Sequence, residues 1–258
     1  MKLNRIRQAS LLAFVINFFL VSTYSNAQED TLKVKEFKNT VRVNITNPLL
    51  FGGKAILVGY ERVIGNYQTI TVDVGQLTLP KLLPGTINLT DSVKLNNSST
   101  EKGYHIDFEY RFYLPHENKY LAPRGIYLAP YVSYNYFNRK NSWVLDTQAF
   151  DGEVTTDLTL KMATIGGELG YQFILWKRVA LDLVLIGPGL TNYKITAELN
   201  TSLSADDEAL LFQKIDEVLS SKIPGYSLVI DDAKFKKTGT VNTTTAGFRY
   251  MIHLGFRF

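Results

Sequence analysis

The 258-residue chain contains no cysteine, which excludes a disulfide framework, a cysteine-based metal site and a lipid-bearing cysteine near the N-terminus. Its three histidines, His105, His116 and His253, show no His-rich or HExxH spacing, so neither a metal site nor a cofactor is predicted. After residue 27 no apolar run reaches the roughly 20 residues that a membrane-spanning helix needs. Any membrane span must therefore consist of strands, which satisfy their backbone hydrogen bonds by pairing.

The first 27 residues have the pattern of a secretory signal peptide. A basic start over residues 2–7 precedes an apolar run over residues 11–21, and Ser25-Asn26-Ala27 supplies small residues for cleavage. The alternative is a permanent N-terminal anchor, but eleven apolar residues are short for a span. We therefore predict a cleaved signal peptide at 1–27 and a single domain at 28–258.

Removal of the signal leaves almost no net charge. Three of the 28 basic residues and none of the 24 acidic residues lie within it, so residues 28–258 carry 25 against 24, a net charge of +1. No basic tail or patch remains that would favour nucleic acid as a partner.

The end of the chain alternates strictly between large apolar residues and polar or small ones. Over residues 248–258 one set is apolar, and the other contains Arg249, His253 and Arg257. A period of two indicates a strand with two different faces, and such an aromatic-ended strand would invite aggregation in water. The ending resembles the C-terminal signal by which the barrel-assembly machinery recognises bacterial outer-membrane barrels. The residues of this assembly signal would be Tyr250, Ile252, Leu254, Phe256 and Phe258.

Eight stretches in all have strand character. The predicted strands cover residues 41–46, 55–64, 67–77, 103–114, 126–137, 158–173, 179–190 and 244–258, and Pro188 is expected to bend or end the seventh. The connections after the third, fifth and seventh strands are long and the others are shorter, a rhythm typical of outer-membrane barrels. The predicted fold class is all-β, an antiparallel up-and-down eight-stranded transmembrane β-barrel.

Three long polar connections, 78–102, 138–157 and 191–243, are expected to be external loops. The last of them contains a predicted helix of about four turns, with a capping box at residues 204–207. The apolar residues at helical spacing are Leu211, Ile215, Val218 and Leu219, and Pro224-Gly225 ends the run. This apolar stripe is expected to pack on its own loop or on the barrel rim; a partner or a lipid surface is the alternative.

The strand faces must then be assigned. A soluble lipocalin-like barrel would place the apolar face inward, whereas the aromatic C-terminus, the loop rhythm and aromatic residues near both strand ends favour a lipid-facing apolar surface. The polar faces would then form a charge network in the lumen, made of Glu61, Asp73, His105, Asp107, Glu109, Arg111, Glu168, Asp182, Arg249, His253 and Arg257. Buried charges must be paired, so a salt-bridged plug is expected, with a narrow path or a small-ligand site as the alternative.

Catalysis is a further possibility in barrels of this size. His105 shares a strand face with Asp107, an arrangement that suits a general base. No serine or threonine is placed as a nucleophile, however, and packing in the lumen explains His105 and His253 equally well. His116 is most simply a turn residue, and no catalytic residue is predicted.

The signal peptide, the eight strands and the ending HLGFRF resemble the small outer-membrane barrel proteins of Gram-negative bacteria, the OmpX, OmpA-barrel and OmpW-like group. The segments LVGYERVIGNYQTITVDVG, YRFYL and GIYLAPYVSY are similar to a branch of that group. The resemblance implies an outer-membrane location, with outer-membrane lipid and the barrel-assembly machinery as partners. It says little about activity, because these barrels include packing-only proteins, adhesins, small pores and enzymes.

We therefore expect a non-enzymatic surface or envelope component that works through its external loops, with loop 191–243 as the place for a protein partner. A narrow channel or binding barrel for a small solute is the first alternative. A lipid- or peptide-processing enzyme of the outer membrane is the second.

Overall fold

The computed structural model describes residues 37–51, 55–77, 87–90, 93–146, 150–200, 203–222 and 240–258. Within these ranges, the side chains of residues 50–51, 87–100 and 214–222 are not described. The predicted signal peptide, residues 1–27, lies outside the described residues, as do the middle parts of the three predicted loops.

The described chain consists of antiparallel strands and two helices. The elements are β1 (Asn39–Asn44), α1 (Thr46–Phe51), β2 (Ile56–Gly65), β3 (Gln68–Gln76), β4 (Ile87–Thr90), β5 (Val93–Tyr113), β6 (Gly125–Asp146), β7 (Asp151–Leu175), β8 (Val179–Leu199), α2 (Ala205–Lys222) and β9 (Thr240–Arg257). Eight of the strands form a closed ring in the order β1-β2-β3-β5-β6-β7-β8-β9, and β4 pairs with β5 outside it. The predicted eight-stranded up-and-down barrel is confirmed.

The short strand β1 closes the ring. Its residues 40–44 pair with residues 257–253 of β9, and Phe258 exchanges two backbone hydrogen bonds with Asn39, at 3.2 and 2.9 Å. Val41 and Val43 face outward and are exposed, whereas Arg42 faces inward and is buried. Closure removes the free edge that the last strand would otherwise present.

The outward-facing side chains of the ring strands form a band of exposed apolar residues. Burial alternates residue by residue, as in β2 and β9, and the outward side chains include Phe248, 75% exposed, and Ile165, 64% exposed. At the band's edge far from the termini, the rings of Tyr104 and Tyr136 stack with centroids 5.1 Å apart. A soluble barrel would show the reverse arrangement, so the apolar surface faces lipid.

Several strands are longer than their predicted bounds. β6 has 22 residues and β7 has 25, and their pairing continues to Asp146 opposite Asp151, so predicted loop 138–157 is almost entirely a strand hairpin. Loops 78–102 and 191–243 are also shortened, because β5 begins at Val93, β8 ends at Leu199 and β9 begins at Thr240. These predicted boundaries are wrong because the outward face of a strand no longer needs to be apolar once the strand leaves the membrane. The apolar residues of the extensions lie on the inward face, as Trp143, Val154 and Ile195 do, so the lipid-facing alternation ends while the backbone ladder continues.

Pro188 does not end β8. The irregularity lies just before it, as a bulge between Val184 and Gly187 in the pairing with β9. Regular pairing resumes with Gly187 opposite Arg249 and continues through Pro188 opposite Phe248. A bulge bends a strand without terminating it. The predicted end of this strand at residue 190 is therefore wrong.

The first predicted strand also ends early. Asn44 is the last residue of β1, and α1 follows from Thr46, where the sequence predicts a continued strand and then a turn. The Asn44 side chain accepts a hydrogen bond from the Asn47 N–H at 2.9 Å. An Asn side chain that satisfies a backbone donor in this way favours the start of a helix over an extended chain.

An apolar cluster lies inside the barrel end farther from the termini, where β6 to β9 rise past the exposed band. Helix α2 contributes Leu211, which is fully buried, and Phe212. We call this cluster the apolar cap; its buried members are Trp143, Leu145, Val154, Leu158, Ile195, Ala197, Leu211, Phe212 and Val241. The indole N–H of Trp143 donates to Thr156 Oγ1 at 2.7 Å, so the one polar group of that side chain is satisfied.

Ser204, the first residue of the predicted capping box, is the N-cap of helix α2. The Asp207 N–H donates to Ser204 Oγ at 3.2 Å, and Ser204 Oγ donates to Asp207 Oδ2 at 2.7 Å. Its described apolar residues pack in the apolar cap, as expected for a helix on its own barrel; the side chains of Ile215, Val218 and Leu219 lie outside the described part. Neither described helix is long and apolar enough to cross a membrane.

Candidate functional site

The inward-facing positions of the ring strands bring ionisable side chains together at the middle of the lumen. Each strand contributes every second residue, so residues distant in sequence meet in space. Six carboxylates, each 3% exposed or less, belong to this set: Glu61, Asp73, Asp107, Glu109, Glu168 and Asp182. Three arginines lie among them, and we call the nine residues together the charged plug; its cations are Arg42, Arg111 and Arg249.

Arg42 joins carboxylates from three other strands. Its Nε donates to Asp73 Oδ1 at 3.0 Å and its Nη2 donates to Asp73 Oδ2, a bidentate pair. Its Nη1 donates to Asp182 Oδ2 at 3.0 Å, and its Nη2 lies 3.4 Å from Glu109 Oε2. Arg42 was absent from the residues that the sequence predicts for the lumen, although its alternation with Val41 and Val43 carries the signal for an inward position.

Arg111 occupies the neighbouring position and is fully buried. Its Nε donates to Glu109 Oε2 at 2.8 Å, and its Nη2 donates to Asp182 Oδ2 at 2.8 Å. The guanidinium also stacks on Tyr127, 4.4 Å from the ring centroid, and its Nη1 donates to Gln172 Oε1 at 3.1 Å. Each of the three guanidinium nitrogens thus donates to an acceptor in the lumen.

Arg249 forms the third centre, on the side of the apolar cap. Its Nη2 donates to Glu109 Oε1 at 2.8 Å and to Glu168 Oε2 at 2.6 Å, and its Nη1 donates to Asp107. The guanidinium lies over Tyr131, 3.4 Å from the ring centroid. Its side chain is 15% exposed, against 2% for Arg42 and 0% for Arg111, so Arg249 is the most accessible cation of the plug.

Carboxylates outnumber arginines in the plug by six to three. Asp73, Asp107 and Glu109 each place an oxygen within 4.8 Å of the others, close enough to share a cation. Both oxygens of Asp73 already accept from Arg42, and both oxygens of Glu109 accept from arginines. Among the described residues, Asp107 Oδ1 and Glu168 Oε1 are buried without a hydrogen-bond partner. The set is therefore better suited to ion pairing than to holding a metal.

The partners of the two lumen histidines are amide and carboxylate side chains. His105 Nδ1 lies 2.6 Å from Asn135 Oδ1, so its partner is Asn135 and not Asp107. His253 Nε2 lies 3.1 Å from Asn44 Nδ2, and its Nδ1 lies 3.4 Å from Asp182 Oδ2. In the described part of the chain no serine or threonine hydroxyl is hydrogen-bonded to either ring.

Arg257 lies at the terminus end of the lumen face, away from the three plug arginines. Its Nη2 donates to the Phe37 carbonyl at 2.7 Å, so it fixes the N-terminal side of β1. His116 lies exposed in the connection between β5 and β6. Four residues of the predicted assembly signal face outward on β9, and the fifth, Phe258, directly follows the strand; all five are exposed. Their role in assembly stays a prediction.

Glycines make room for the tyrosines that wall the plug. Gly170 pairs with Tyr127 and Gly166 with Tyr131 across β6 and β7, and a Cβ on Gly166 would lie 2.6 Å from Tyr131 Cε1. The freed space lets Tyr127 Oη donate to Asp182 Oδ1 at 2.8 Å. Gly166 is thus a site of tight packing inside the barrel, where a ring approaches the backbone closely.

A closed ring of eight antiparallel strands, apolar outside and filled with paired charges inside, defines a membrane-spanning β-barrel. The resemblance to small outer-membrane barrels is confirmed at the level of this fold. Two solved structures are similar to the chain, each at 11% identity and each over 86% of it: CarO2 of Acinetobacter baumannii, with TM-score 0.36 over 97% of its length, and a major outer membrane protein of Thermus thermophilus, with TM-score 0.33 over 98%. At these TM-scores the likeness carries no weight for function.

No protein-family profile matches the chain, and no curated protein sequence matches it. The assignment of the chain to the membrane-spanning β-barrels therefore rests on the geometry of the barrel itself.

Proposed function

We propose that this protein is an outer-membrane β-barrel that serves as a non-enzymatic surface component through its external half. The observation that carries the proposal is the charged plug, in which Arg42, Arg111 and Arg249 tie inward residues of the ring together. An eight-stranded barrel has an interior just wide enough for side chains to fill. A lumen filled in this way makes the barrel a rigid scaffold in the membrane. The function is then carried by the external region that the scaffold supports.

The half of the barrel far from the termini supports this assignment of the working surface. There β6 to β9 extend beyond the apolar band, and α2 packs its Leu211 and Phe212 into the apolar cap. A helix anchored in this way presents its opposite face, which includes exposed Gln213, to the outside. We propose the region 191–243 as the place where a protein partner binds.

Single-cysteine labelling in intact cells tests the topology, because the chain has no cysteine of its own. Gln213→Cys on α2 and Lys177→Cys in the β7–β8 turn are both at exposed positions, at opposite ends of the barrel. A membrane-impermeant maleimide is expected to label the first in intact cells and the second only after lysis. Labelling of Lys177→Cys alone in intact cells would contradict the proposed orientation.

A narrow cation path is the second candidate, favoured by the excess of carboxylates over arginines in the lumen. Its weakest barrier would be Arg249, the most accessible cation of the plug. This candidate predicts a cation-selective current in planar bilayers that increases in Arg249→Ala. If neither the wild type nor Arg249→Ala carried a current, the narrow cation path would be ruled out.

A further inference from the structure

A row of outward-facing side chains crosses β6, β7 and β8 at the edge of the apolar band. In the backbone register Tyr136 is opposite Lys161, and Lys161 is opposite Lys194. Both lysines are exposed on the outer face of the barrel. Residues directly opposite on antiparallel strands have Cβ atoms roughly 4.5–5.5 Å apart. The backbone therefore holds the two lysines side by side, and we call them the lysine pair.

Like charges placed directly opposite on neighbouring strands repel each other. Within the described ranges neither residue of the lysine pair forms an ion pair, whereas Lys140 on the same outer surface lies 3.9 Å from Asp157. The nearest acidic positions on this face, Asp157 and Glu198, are four residues farther along β7 and β8. The lysine pair is thus a local positive charge that no acidic side chain in the described part of the protein compensates.

The lysine pair lies where the apolar surface ends. Toward the centre of the band the next outward residue on β7 is Ala163, followed by Ile165, and on β8 Asn192 is followed by Leu190. Tyr136, stacked on Tyr104, marks the same level on β6. Tyrosines and lysines at the edge of an apolar band sit at the depth of lipid head groups, where lysine stems lie along apolar surface and the ammonium reaches polar atoms.

We propose that the lysine pair and Tyr136 bind the phosphomonoester head group of a membrane lipid. The site rests on the proposed function, because it needs this end of the barrel at a bilayer surface. A phosphomonoester carries up to two negative charges and three acceptor oxygens, which match two ammonium groups and a phenol donor. The anion would relieve the repulsion between the lysines, so binding and the conformation of the strands support each other. A phosphodiester, with a single charge, matches the pair less well.

Native mass spectrometry of the folded, signal-free chain tests the site, with phosphatidic acid as the probe. We expect phosphatidic acid to bind to the wild type. The double variant Lys161→Gln/Lys194→Gln is expected to bind it roughly 25-fold more weakly, since each basic residue at a lipid surface is worth about a fivefold change in affinity. The control Lys119→Gln/Lys177→Gln removes the same charge from exposed turns at the opposite end. It is expected to retain the wild-type affinity within about twofold.

Equal binding of phosphatidic acid by the wild type and the lysine-pair variant would overturn the site. So would equal affinities of the wild type for phosphatidic acid and phosphatidylglycerol, because the site is built for two charges. If all variants keep the faster gel mobility of the unheated barrel, these results leave the proposed function intact. Loss of that mobility in the wild type itself would contradict both proposals.

Discussion

Arg42 sits on the shortest strand of the ring and yet contacts carboxylates from three other strands, β3, β5 and β8. Removing one partner of a buried ion pair leaves charge without compensation, and this costs about 3–5 kcal/mol. For Arg42→Ala we expect a loss of that size in the free energy of unfolding, because Asp73 and Asp182 would remain buried. Urea titration of the refolded barrel in detergent micelles, followed by tryptophan fluorescence, measures it.

Arg62 provides the matched control for that variant. It lies on β2 with its side chain outward, where Nη1 donates to Asn39 Oδ1 at 3.0 Å at an exposed site. Arg62→Ala is expected to change the free energy of unfolding by no more than about 0.5 kcal/mol. Equal losses in the two variants would show that the plug does not depend on Arg42.

Gly170 tests the packing of the plug wall. A Cβ at this position would meet the Tyr127 ring, and overpacking of this kind costs about 1–3 kcal/mol. Gly167 is the control, because its added Cβ would meet only Ala129 O, at 3.9 Å. We expect Gly170→Ala to lower the midpoint of urea unfolding and Gly167→Ala to leave it unchanged. A loss in both variants would indicate a general effect of strand glycines and not a pocket for Tyr127.

The residues of the plug differ in how visible they are in the sequence. Glu109, Arg111 and Asp107 belong to a long alternating strand, so their common face is readable from residue types alone. Arg42 belongs to a six-residue strand in which only two valines mark the outer face, and its importance arises from neighbours that are distant in sequence. The partners of each arginine depend on register and on tilt, which residue types do not encode.

At the scale of elements, helix α2 packs against the inner face of the strands at the external end of the barrel. Its N-terminus was predictable because a capping box is a local signal. The strand extensions of β6 to β9 were missed, since beyond the membrane their outward residues are polar and their apolar residues, such as Trp143, Val154 and Ile195, lie on the inward face. The lipid-facing alternation that marks a membrane strand therefore ends there, although the paired strand continues.

The apolar cap is expected to hold helix α2 in place on the barrel. Leu211 is fully buried in it, and a buried Leu→Ala change costs about 2–5 kcal/mol. We expect Leu211→Ala to speed hydrogen exchange of the α2 amides while the midstrand amides around the charged plug remain protected. Gln213→Ala, at an exposed position of the same helix, should leave both regions unchanged. Unaltered exchange of α2 in Leu211→Ala would mean that the helix is not held by the cap.

At the scale of the whole molecule, closure through β1 and β9 gives the chain its two surfaces. The apolar outer surface requires lipid, and the charged inner surface requires pairing within the lumen. These two requirements follow from a single alternation along each strand, which is why the fold was predictable from residue types. The way in which the lumen is filled decides whether the barrel is a scaffold or a path.

Single-channel recording in planar bilayers tests the central claim, that the charged plug closes the lumen. The protein is refolded, its folding is checked by the shift in gel mobility between unheated and boiled samples, and it is then inserted into the bilayer. We predict no conductance steps from the folded wild-type barrel. A steady conductance that is selective for cations would contradict the closed lumen and would favour the narrow path.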